Sequence, residues 1–452
     1  MDRMTSEKDP MITKFMMTTL GCKVNQFETE AIGLALIRAG WERTGKGKEA
    51  HVCIINTCTV TGKASMQSRQ AIRNIIRNCP DARIIVTGCY AQTEASEISK
   101  IQGVHRIISH KEKHLIPDMI LHDVHDSTSK GLTLSPDCDE SCQETEFKSI
   151  DVTVFGNRTR PFLKIQDGCN AFCTYCIVPH TRGRSRSMDK DQIITRLHDL
   201  GRAGYKEVVL TGIHIGHWGS DLIPRQSFVD LLKHIDDEHP VPRIRLSSIE
   251  PREITEDMVS LFAASDMFCH HFHIPLQSGD NGILERMHRP YDRDLFRDRV
   301  TTIVSHIPDA AIGVDTLVGF PGETDQAFNN TYELIESLPI MYLHVFPFSP
   351  RIKTPAASFP DHVAPDIMKL RTERLRALGA LKKETFLKTC CGKTLEVLIE
   401  NKRDSKSGML KGLTSNYATV FVDGPDTLFN SLQRVLIDRA YSNHVTGTLI
   451  KP

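Results

Sequence analysis

Residues 162–176 read FLKIQDGCNAFCTYC, an apolar strand candidate that runs directly into a cysteine-rich loop. The loop has the spacing CxxxCxxC, with thiols at Cys169, Cys173 and Cys176. Three thiolates on so short a loop can hold three irons of a [4Fe-4S] cube and leave the fourth iron open to a small chelating ligand. Zinc is the alternative, but the loop lacks the CxxC pairs and nearby fourth ligand of a structural zinc site. The spacing therefore favours an iron–sulfur cluster.

The strand candidate before this loop is the first of a series in which short apolar runs alternate with helical patterns. The candidates are residues 162–166, 207–211, 243–248, 270–274, 312–318 and 342–346. Six such repeats predict a parallel β/α barrel, which we expect to be an open (β/α)6 barrel over residues 151–380.

An independent α/β pattern precedes the loop. Strand candidates at 12–19, 51–56 and 83–87 alternate with helical patterns at 27–39 and 64–77, which predicts a small parallel α/β domain over 11–126. Cys22, Cys58 and Cys89 each stand just past one of these strands, at the sheet edge where open α/β sheets place their ligands. Residues 127–150 are polar and acidic without sustained periodicity, and we interpret them as a linker.

The C-terminal part, residues 381–452, contains the alternating runs TLEVLIE, YATVFVD and RVLID, which predict a small antiparallel β module. The fold class is therefore α/β, with a β module added.

Composition limits the classes of function. The 452 residues are 40% hydrophobic and 25% charged, as in a globular protein. Lys plus Arg (56) balance Asp plus Glu (56), so the binding of a nucleic acid would depend on local patches of basic side chains. No apolar run approaches the roughly 18 residues of a membrane span, and MDRMTSEKDP lacks the apolar core of a secretion signal, so we expect a cytoplasmic protein without membrane contact. Thirteen cysteines, an odd number, then indicate metal or redox chemistry rather than disulfides.

The cysteine loop and its surroundings resemble the radical SAM superfamily, in which the open iron binds S-adenosylmethionine. The resemblance implies further cofactor contacts: Tyr175 near the adenine, Ser247 in RLSSIEP, Gln277 in PLQSG, and Gly319, Gly322 and Glu323 in GFPGET. The glycines let the backbone approach a cofactor closely. The alternative is that these polar residues cap helices or satisfy the barrel backbone.

The three N-terminal motifs TLGCKVNQ, NTCTV and TGCYAQ resemble those of the methylthiotransferases. In that family their cysteines, here Cys22, Cys58 and Cys89, bind a second [4Fe-4S] cluster with an open iron that carries the sulfur to be inserted. The alternative is three buried structural cysteines. The C-terminal segment is similar to the TRAM module of tRNA-modifying enzymes. The runs GCKVNQFE, FLKIQDGCNAFCTYCIVPHTRGRSRS and HVFPFSPRIKTPA carry a likeness to the MtaB type of the family.

This likeness implies methylthiolation at C2 of N6-threonylcarbamoyladenosine, next to the anticodon of tRNA. One S-adenosylmethionine would methylate the sulfur, and a second would be cleaved reductively to the 5'-deoxyadenosyl radical that activates C2. The implied partners are the tRNA anticodon loop, an electron donor such as flavodoxin or ferredoxin, and a sulfur donor. The alternatives are methylthiolation of N6-isopentenyladenosine in tRNA or of a ribosomal-protein aspartate, and a non-catalytic RNA-binding iron–sulfur or zinc protein.

Two groups of arginines fit an RNA partner. Arg69, Arg73 and Arg77 recur every four residues on a predicted helix, and Arg182, Arg184 and Arg186 form a compact cluster beside the cysteine loop. Such side chains can bind phosphates, although stripes of this kind are often only solvated helix faces.

Several residues lie outside these motifs. Cys138 and Cys142 are interpreted as incidental to the linker. His271 and His273 are expected to line the barrel wall. Residues 214–218, HIGHW, depart from an asparagine-containing form in relatives, so the resemblance does not settle the S-adenosylmethionine contacts there.

Overall fold

The structure, a computed structural model, describes residues 13–125, 133–134, 146–148, 150, 152, 155–156 and 158–450. Cys138 and Cys142 lie outside the described residues. The chain forms two compact units: Met1–Val152 together with His180–Gly183, and Thr153–Pro179 together with Arg184–Pro452. Within the described part of the chain, every helix lacks the combination of length and apolarity that crossing a bilayer requires.

The first unit is a parallel sheet flanked by helices. Its strands are β1 Lys14–Thr19, β2 Glu42–Arg43, β3 Val52–Thr57, β4 Arg83–Gly88, β5 Arg106–Ile107 and β6 Thr133–Leu134. Its helices are α1 Lys23–Arg38, α2 Gly62–Asn78, α3 Cys89–Thr93, α4 Ala95–Ser99 and α5 Ile116–His125. The strand order is β2-β1-β3-β4-β5-β6, with parallel pairing throughout.

Strand β3 shows why this sheet was predicted from an unbroken apolar run. Cys53 and Ile55 pack into a core on the side of α2, whereas Val52 and Ile54 pack into a second core on the side of α1. A parallel strand covered on both faces has no polar face, so its sequence does not alternate. The predicted parallel α/β domain is confirmed.

The second unit contains the predicted barrel. Its strands are β7 Phe162–Lys164, β8 Gln166–Asp167, β9 Arg186–Ser187, β10 Glu207–Thr211, β11 Arg243–Leu246, β12 His271–Gln277, β13 Ala311–Val318 and β14 Tyr342–Pro347. The helices in this part of the sequence are α6 Val178–Arg182, α7 Lys190–Arg202, α8 Phe228–Glu238, α9 Glu256–Ala264, α10 Asn281–Arg286, α11 Arg293–His306, α12 Asp325–Ser337 and α13 Pro365–Thr389.

Six of these strands form two parallel sheets, β7-β10-β11 and β12-β13-β14. Two parallel bridges, Ile244 to Phe268 and Ser248 to His273, join the sheets between β11 and β12. The arrangement is an open barrel with the strands in the predicted places and order, so the expected (β/α)6 architecture is confirmed.

The C-terminal module is a closed barrel of β15 Thr394–Arg403, β16 Leu410–Thr414, β17 Thr419–Val422, β18 Leu432–Ala440 and β19 Val445–Leu449. Four of its pairings are antiparallel and one, between β17 and β19, is parallel, so the predicted small β module is confirmed with one parallel pair. Its core includes Ala311 and Met341 of the larger barrel. The expected boundaries at residues 126, 150 and 380 remain predictions, and α13 runs unbroken across residue 380.

Candidate functional site

Cys169, Cys173 and Cys176, the loop set, follow the short strand β8. Two residues with left-handed backbone, Gly168 (φ +72°) and Phe172 (φ +46°), turn the chain back on itself at this point. Burial raises the pKa of Cys176 to about 12, and the neighbouring thiols of Cys173 and Cys169 contribute in the same direction. The fold thus brings the three thiols into one cluster.

Gln166 ties this loop to the next strand of the barrel. Its buried side-chain amide donates to the carbonyl oxygens of Asp167 (3.0 Å) and Gly168 (2.8 Å). Its Oε1 accepts from the backbone N–H of Ile213 (3.0 Å) and His214 (2.8 Å), just past β10. One glutamine therefore fixes the distance between the cysteine loop and the loop that carries His214.

His214 contacts the first thiol of the loop set. Its Nδ1 lies 3.5 Å from Cys169 Sγ, and its Nε2 lies 2.5 Å from Oε1 of Glu253. Burial opposes protonation of the imidazole, but hydrogen bonds to Cys169 and Glu253 outweigh it and raise the pKa of His214 to about 10. His214, the first residue of HIGHW, is therefore a cationic partner of a thiol.

Arg289 plays the corresponding part at the second thiol. Its Nη1 donates to Cys173 Sγ at 3.2 Å, and its Nη2 pairs with Glu250. Charge-assisted donors of this kind stabilise a thiolate over a thiol. Neither Arg289 nor Glu250 stood out in the sequence as a partner of the cysteines, because more than seventy residues separate each of them from the loop.

Cys22, Cys58 and Cys89, the N-terminal set, converge at the carboxyl edge of the first sheet. Cys22 precedes α1, Cys58 follows β3, and Cys89 begins α3 directly after β4. Burial, together with repulsion from the thiols of Cys89 and Cys22, raises the pKa of Cys58 to about 11. Cys58 and Cys89 are buried while Cys22 is exposed, so the set has one accessible side.

Two glycines in these motifs are required by geometry. Gly21 has φ +97°, and a Cβ there would lie 2.8 Å from Cys58 Sγ. Gly88 has φ +99°, and a Cβ there would lie 2.4 Å from the carbonyl oxygen of Thr57. A side chain at either position would push the cysteines apart, which explains why glycine precedes both Cys22 and Cys89.

A buried ionic network lies beside the N-terminal set. Glu28 accepts hydrogen bonds from Lys113 Nζ (2.6 Å) and from Arg182 Nη1 (2.9 Å). Arg182 also donates to Asn25 Oδ1 (2.6 Å), and Lys113 donates to Asn56 Oδ1 (3.2 Å). Two buried basic side chains thus pair with one carboxylate beside the thiols.

The predicted S-adenosylmethionine residues in the barrel include two with unusual local structure. Ser247, at the end of β11, is buried, and its Oγ has no hydrogen-bond partner within the described residues. Gln277, at the end of β12, has left-handed backbone with φ +62°. An orphaned buried hydroxyl and a strained non-glycine residue are typical of ligand sites. Tyr175 is half-buried, with its ring 6.5 Å from that of Phe320.

Hydrogen bonds to Glu323 hold the loop after β13 in shape. Gly319 (φ +79°) donates its N–H to Glu323 Oε2 at 3.0 Å, and Arg371 donates to Glu323 Oε1 at 2.7 Å. Gly322 (φ +87°) lies against Arg286, whose guanidinium would be 2.8 Å from a Cβ at that position. Both carboxylate oxygens of Glu323 are thus engaged in holding the loop's shape.

The six arginines predicted to bind phosphates divide into two groups. Arg73, Arg77 and Arg184 are exposed, and Arg69 is half-buried with a hydrogen bond to Tyr90. Arg182 and Arg186 are buried, and the prediction that they bind phosphates stays a prediction. Arg182 pairs with Glu28 as described above, and Arg186 lies 3.9 Å from Asp167.

The residues present fit the cofactors that the sequence predicts. Each set offers three converged thiols, and each has cationic side chains that offset the negative charge of ligated thiolates. The orphaned hydroxyl of Ser247 stands at the carboxyl end of a barrel strand, where barrel sites are built.

Comparison with known proteins agrees with this geometry. Residues 14–109 match the family described as uncharacterized protein family UPF0004, and residues 163–335 match the radical SAM superfamily. The chain is 39% identical to threonylcarbamoyladenosine tRNA methylthiotransferase MtaB of Bacillus subtilis (strain 168), over 96% of this chain and 95% of that protein. It is 36% identical to the protein of the same name from Aquifex aeolicus (strain VF5), over 94% and 100%. It is 32% identical to tRNA-2-methylthio-N(6)-dimethylallyladenosine synthase of Pelotomaculum thermopropionicum, over 96% and 97%.

Solved structures share the fold at low sequence identity. The radical S-adenosylmethionine methyltransferase TsrM from Kitasatospora setae, with cobalamin and a [4Fe-4S] cluster bound, matches with a TM-score of 0.55 and 14% identity over 77% of each chain. The cobalamin-dependent radical enzyme OxsB matches with a TM-score of 0.51 and 12% identity, over 80% of this chain and 56% of that chain.

Proposed function

Because the chain belongs to the methylthiotransferase family of radical SAM enzymes, MtaB type, we propose that it methylthiolates C2 of N6-threonylcarbamoyladenosine next to the anticodon of tRNA. The observation that carries the proposal is the presence of two separate sets of three converged thiols. Reductive cleavage of S-adenosylmethionine needs only the loop set, so the second set of thiols points to a further step.

The family implies S-adenosylmethionine and two [4Fe-4S] clusters. In this chain Cys169, Cys173 and Cys176 would hold the cluster that binds S-adenosylmethionine, and Cys22, Cys58 and Cys89 would hold the second cluster. When bound, these groups supply the electron that cleaves S-adenosylmethionine and a position that carries the sulfur to be transferred.

The chain's own residues prepare both sets for ligation. The Arg289 guanidinium and the His214 imidazole approach Cys173 and Cys169, and donors of this type lower the energy of a thiolate. Lys113 and Arg182 are the corresponding basic side chains beside the N-terminal set.

Other residues orient S-adenosylmethionine. The orphaned hydroxyl of Ser247 and the strained Gln277 would contact it directly, while Gly319 and Gly322 let the backbone come close and Glu323 keeps that loop in shape. Tyr175 would lie near the adenine. Because the target base is part of an RNA loop, the enzyme must unstack it to reach a barrel interior.

The partners follow from the reaction. Arg69, Arg73, Arg77 and Arg184 are the arginines of the prediction that remain available to tRNA phosphates. The reaction also requires an electron donor such as flavodoxin or ferredoxin and a sulfur donor, and we place it in the cytoplasm, where tRNA is modified.

The decisive experiment combines metal analysis with nucleoside analysis. Iron and acid-labile sulfide are measured anaerobically in the wild-type chain and in a variant with the N-terminal set changed to alanine. We expect about eight irons per chain to fall to about four. A matched variant with Cys79, Cys390 and Cys391 changed to alanine should keep about eight.

Mass spectrometry of tRNA nucleosides from cells lacking the chain identifies the substrate. We expect N6-threonylcarbamoyladenosine to accumulate without its 2-methylthio form. Loss of methylthiolated isopentenyladenosine, or of a methylthiolated ribosomal-protein aspartate, would instead assign one of the other branches. Wild-type iron near four, with tRNA unchanged, would contradict the proposal outright.

A further inference from the structure

Three side chains that can bind a metal ion meet on adjacent strands of the second barrel sheet. His273 lies on β12, Asp315 on β13 and His344 on β14, and Asp315 and His344 are direct partners in the parallel pairing. Oδ1 of Asp315 lies 2.9 Å from His273 Nε2 and 3.2 Å from His344 Nδ1. We call these three residues the histidine–aspartate cluster. It is separate from both cysteine sets.

The packing of neighbouring residues shows that the cluster lies on the inner face of the sheet. Phe272 of β12 packs on α9, with its ring centroid 5.1 Å from that of Phe262. Leu343 of β14 packs on α13, where a Cβ at Gly379 would lie 3.1 Å from the Leu343 Cβ. The two histidines of the cluster are the next residues on these strands. Since successive strand residues point to opposite faces, both histidines point away from the helices and into the barrel.

The spacing of the three side chains suits a metal ion. Each residue offers one ligand atom, and these atoms all lie within 4.8 Å of one another. A zinc ion with bonds of about 2.0–2.1 Å to nitrogen and oxygen holds its tetrahedral ligand atoms about 3.3 Å apart. The two contacts of Asp315, at 2.9 and 3.2 Å, are close to that separation. Small side-chain rotations therefore suffice to admit an ion.

The types of ligand indicate which ion the cluster prefers. Calcium and magnesium favour sites built from oxygen atoms, whereas imidazole nitrogens favour zinc and neighbouring transition metals. Two imidazoles and one carboxylate give three protein ligands, which is the number that a zinc site with an open position has. The cluster is thus of the zinc type.

Tyr342 supports His273 from behind. Its hydroxyl lies 2.9 Å from His273 Nδ1 and 2.9 Å from Nε2 of His271. To bind an ion through Nε2, His273 must carry its ring proton on Nδ1, and the hydroxyl can accept that hydrogen bond because it both donates and accepts. A partner of this kind on the second nitrogen is found for most metal-binding histidines, where it fixes the tautomer and the ring orientation.

The cluster is closed on one side and open on the other. The exposed fraction of the side chain rises from 9% at His273 to 22% at Asp315 and 54% at His344. An ion bound here would therefore have an accessible position on the His344 side. With Nδ1 on the ion, His344 would carry its proton on Nε2, which can donate to water. The cluster lies four residues, about 13 Å, before Gln277 on β12, so it is distinct from the predicted S-adenosylmethionine contacts.

We propose that the histidine–aspartate cluster binds one zinc ion through His273 Nε2, His344 Nδ1 and a carboxylate oxygen of Asp315, with water as the remaining ligand on the exposed side. The ion is additional to the two iron–sulfur clusters, so the inference goes beyond the proposed function and does not depend on it. An ion with an exchangeable water ligand presents a Lewis-acid position to a molecule bound in the barrel.

The test measures zinc binding to the holoenzyme, in which iron and acid-labile sulfide confirm that the thiols are occupied. The protein is dialysed anaerobically against buffered free zinc, and bound zinc is measured by mass spectrometry. We expect about one zinc per chain with a Kd of about 1 μM or tighter. Asp315→Asn and His344→Ala should each bind about one zinc less. Tyr342→Phe keeps the three ligands but removes the partner of His273, so its affinity for zinc should fall about 10- to 100-fold.

His270→Ala is the matched control. His270 also pairs with a carboxylate, Asp309, at 2.9 Å, but it precedes β12 and lies outside the cluster, so this variant should keep the zinc. An iron content of about eight in every variant shows that the fold and both cysteine sets are intact. X-ray absorption at the zinc edge should show only nitrogen and oxygen ligands at about 2.0–2.1 Å.

Three results would overturn the inference. The first is a wild-type holoenzyme that binds no zinc, and the second is equal zinc in the wild type and in Asp315→Asn. The third is a zinc–sulfur distance of about 2.3 Å, which would place the ion at cysteines. The nucleoside analysis is independent of all three: unchanged tRNA would refute the proposed function, while zinc lost only in the cluster variants would still support this site.

Discussion

Glu207 is the residue whose loss should damage the barrel most. It is fully buried and holds Arg243 Nη2 at 2.6 Å and Arg245 Nε at 2.8 Å, with both arginine side chains 2% exposed or less. Glu207→Gln would keep the shape but leave two buried guanidinium groups without their counterion. Removing one partner of a buried ion pair costs about 3–5 kcal/mol. We therefore expect Glu207→Gln to lower the free energy of unfolding of the second unit by that amount.

The effect should extend to the C-terminal module and depend on pH in a defined direction. Arg243 donates to the carbonyl oxygen of Leu413, and Arg245 to those of Thr414 and Ser415, so the network also fastens the small barrel. Burial opposes ionisation of Glu207, but Arg245 and Arg243 outweigh it and hold its pKa below the usual range. Its contribution is thus fully present above the ordinary glutamate pKa of about 4.3 and is lost progressively at lower pH.

Urea unfolding of the two proteins, followed by fluorescence, measures the difference. Trp218 is buried in the second unit and the other tryptophan, Trp41, lies in the first, so a Trp41→Phe background reports the second unit alone. Glu396→Gln is the matched control, because Glu396 lies 3.8 Å from Arg243 but is 54% exposed, and it should cost less than about 1 kcal/mol. A loss below about 1 kcal/mol in Glu207→Gln, or an equal loss in the control, would refute the reasoning.

Two further predictions concern the cysteine sets. Gly21→Ala should reduce bound iron from about eight to about four per chain, because the new Cβ would lie 2.8 Å from Cys58 Sγ. The control is Gly40→Ala, which is also at positive φ but has nothing within 4 Å of the new Cβ, and it should keep about eight irons. Equal iron in the two variants would contradict this prediction. Arg289→Gln should keep the iron of the loop set but make the reduction potential of that cluster more negative by about 60 mV or more. Losing a hydrogen bond worth about 1.4 kcal/mol at Cys173 corresponds to that shift for one electron. The measurement is a redox titration followed by electron paramagnetic resonance, and an unchanged potential would mean that Arg289 is only structural.

Local sequence patterns predicted the architecture because they record burial directly. β3 and β4 are covered on both faces and read as unbroken apolar runs, and the barrel strands lie where such runs alternate with helical periodicity. The positions of Cys22, Cys58 and Cys89 past successive strands predicted their convergence, since the carboxyl ends of parallel strands share one edge. The parallel pairing of β17 and β19 was not predicted, because alternation within a strand says nothing about the direction of its partner.

The residues that act on the thiols were mostly missed, because their pairings are long-range. Glu28 lies 85 residues from Lys113 and 154 from Arg182 along the chain, and no local pattern records that these side chains meet. Arg182 stands in the run RGRSR, which reads as one basic patch, yet it turns inward while Arg184 stays exposed. The sequence shows which residues are basic, but only the packing shows whether a basic side chain faces solvent or pairs with a buried carboxylate.

The pairing of these cations distinguishes the two cysteine sets. At the loop set each cation has its own carboxylate, Arg289 with Glu250 and His214 with Glu253. At the N-terminal set, by contrast, Lys113 and Arg182 both pair with Glu28. A cluster's potential rises with positive charge around it, so the way in which neighbouring basic side chains are paired affects the potential of any cluster held there. The two cysteine sets therefore differ in their electrostatic surroundings as well as in their position in the fold.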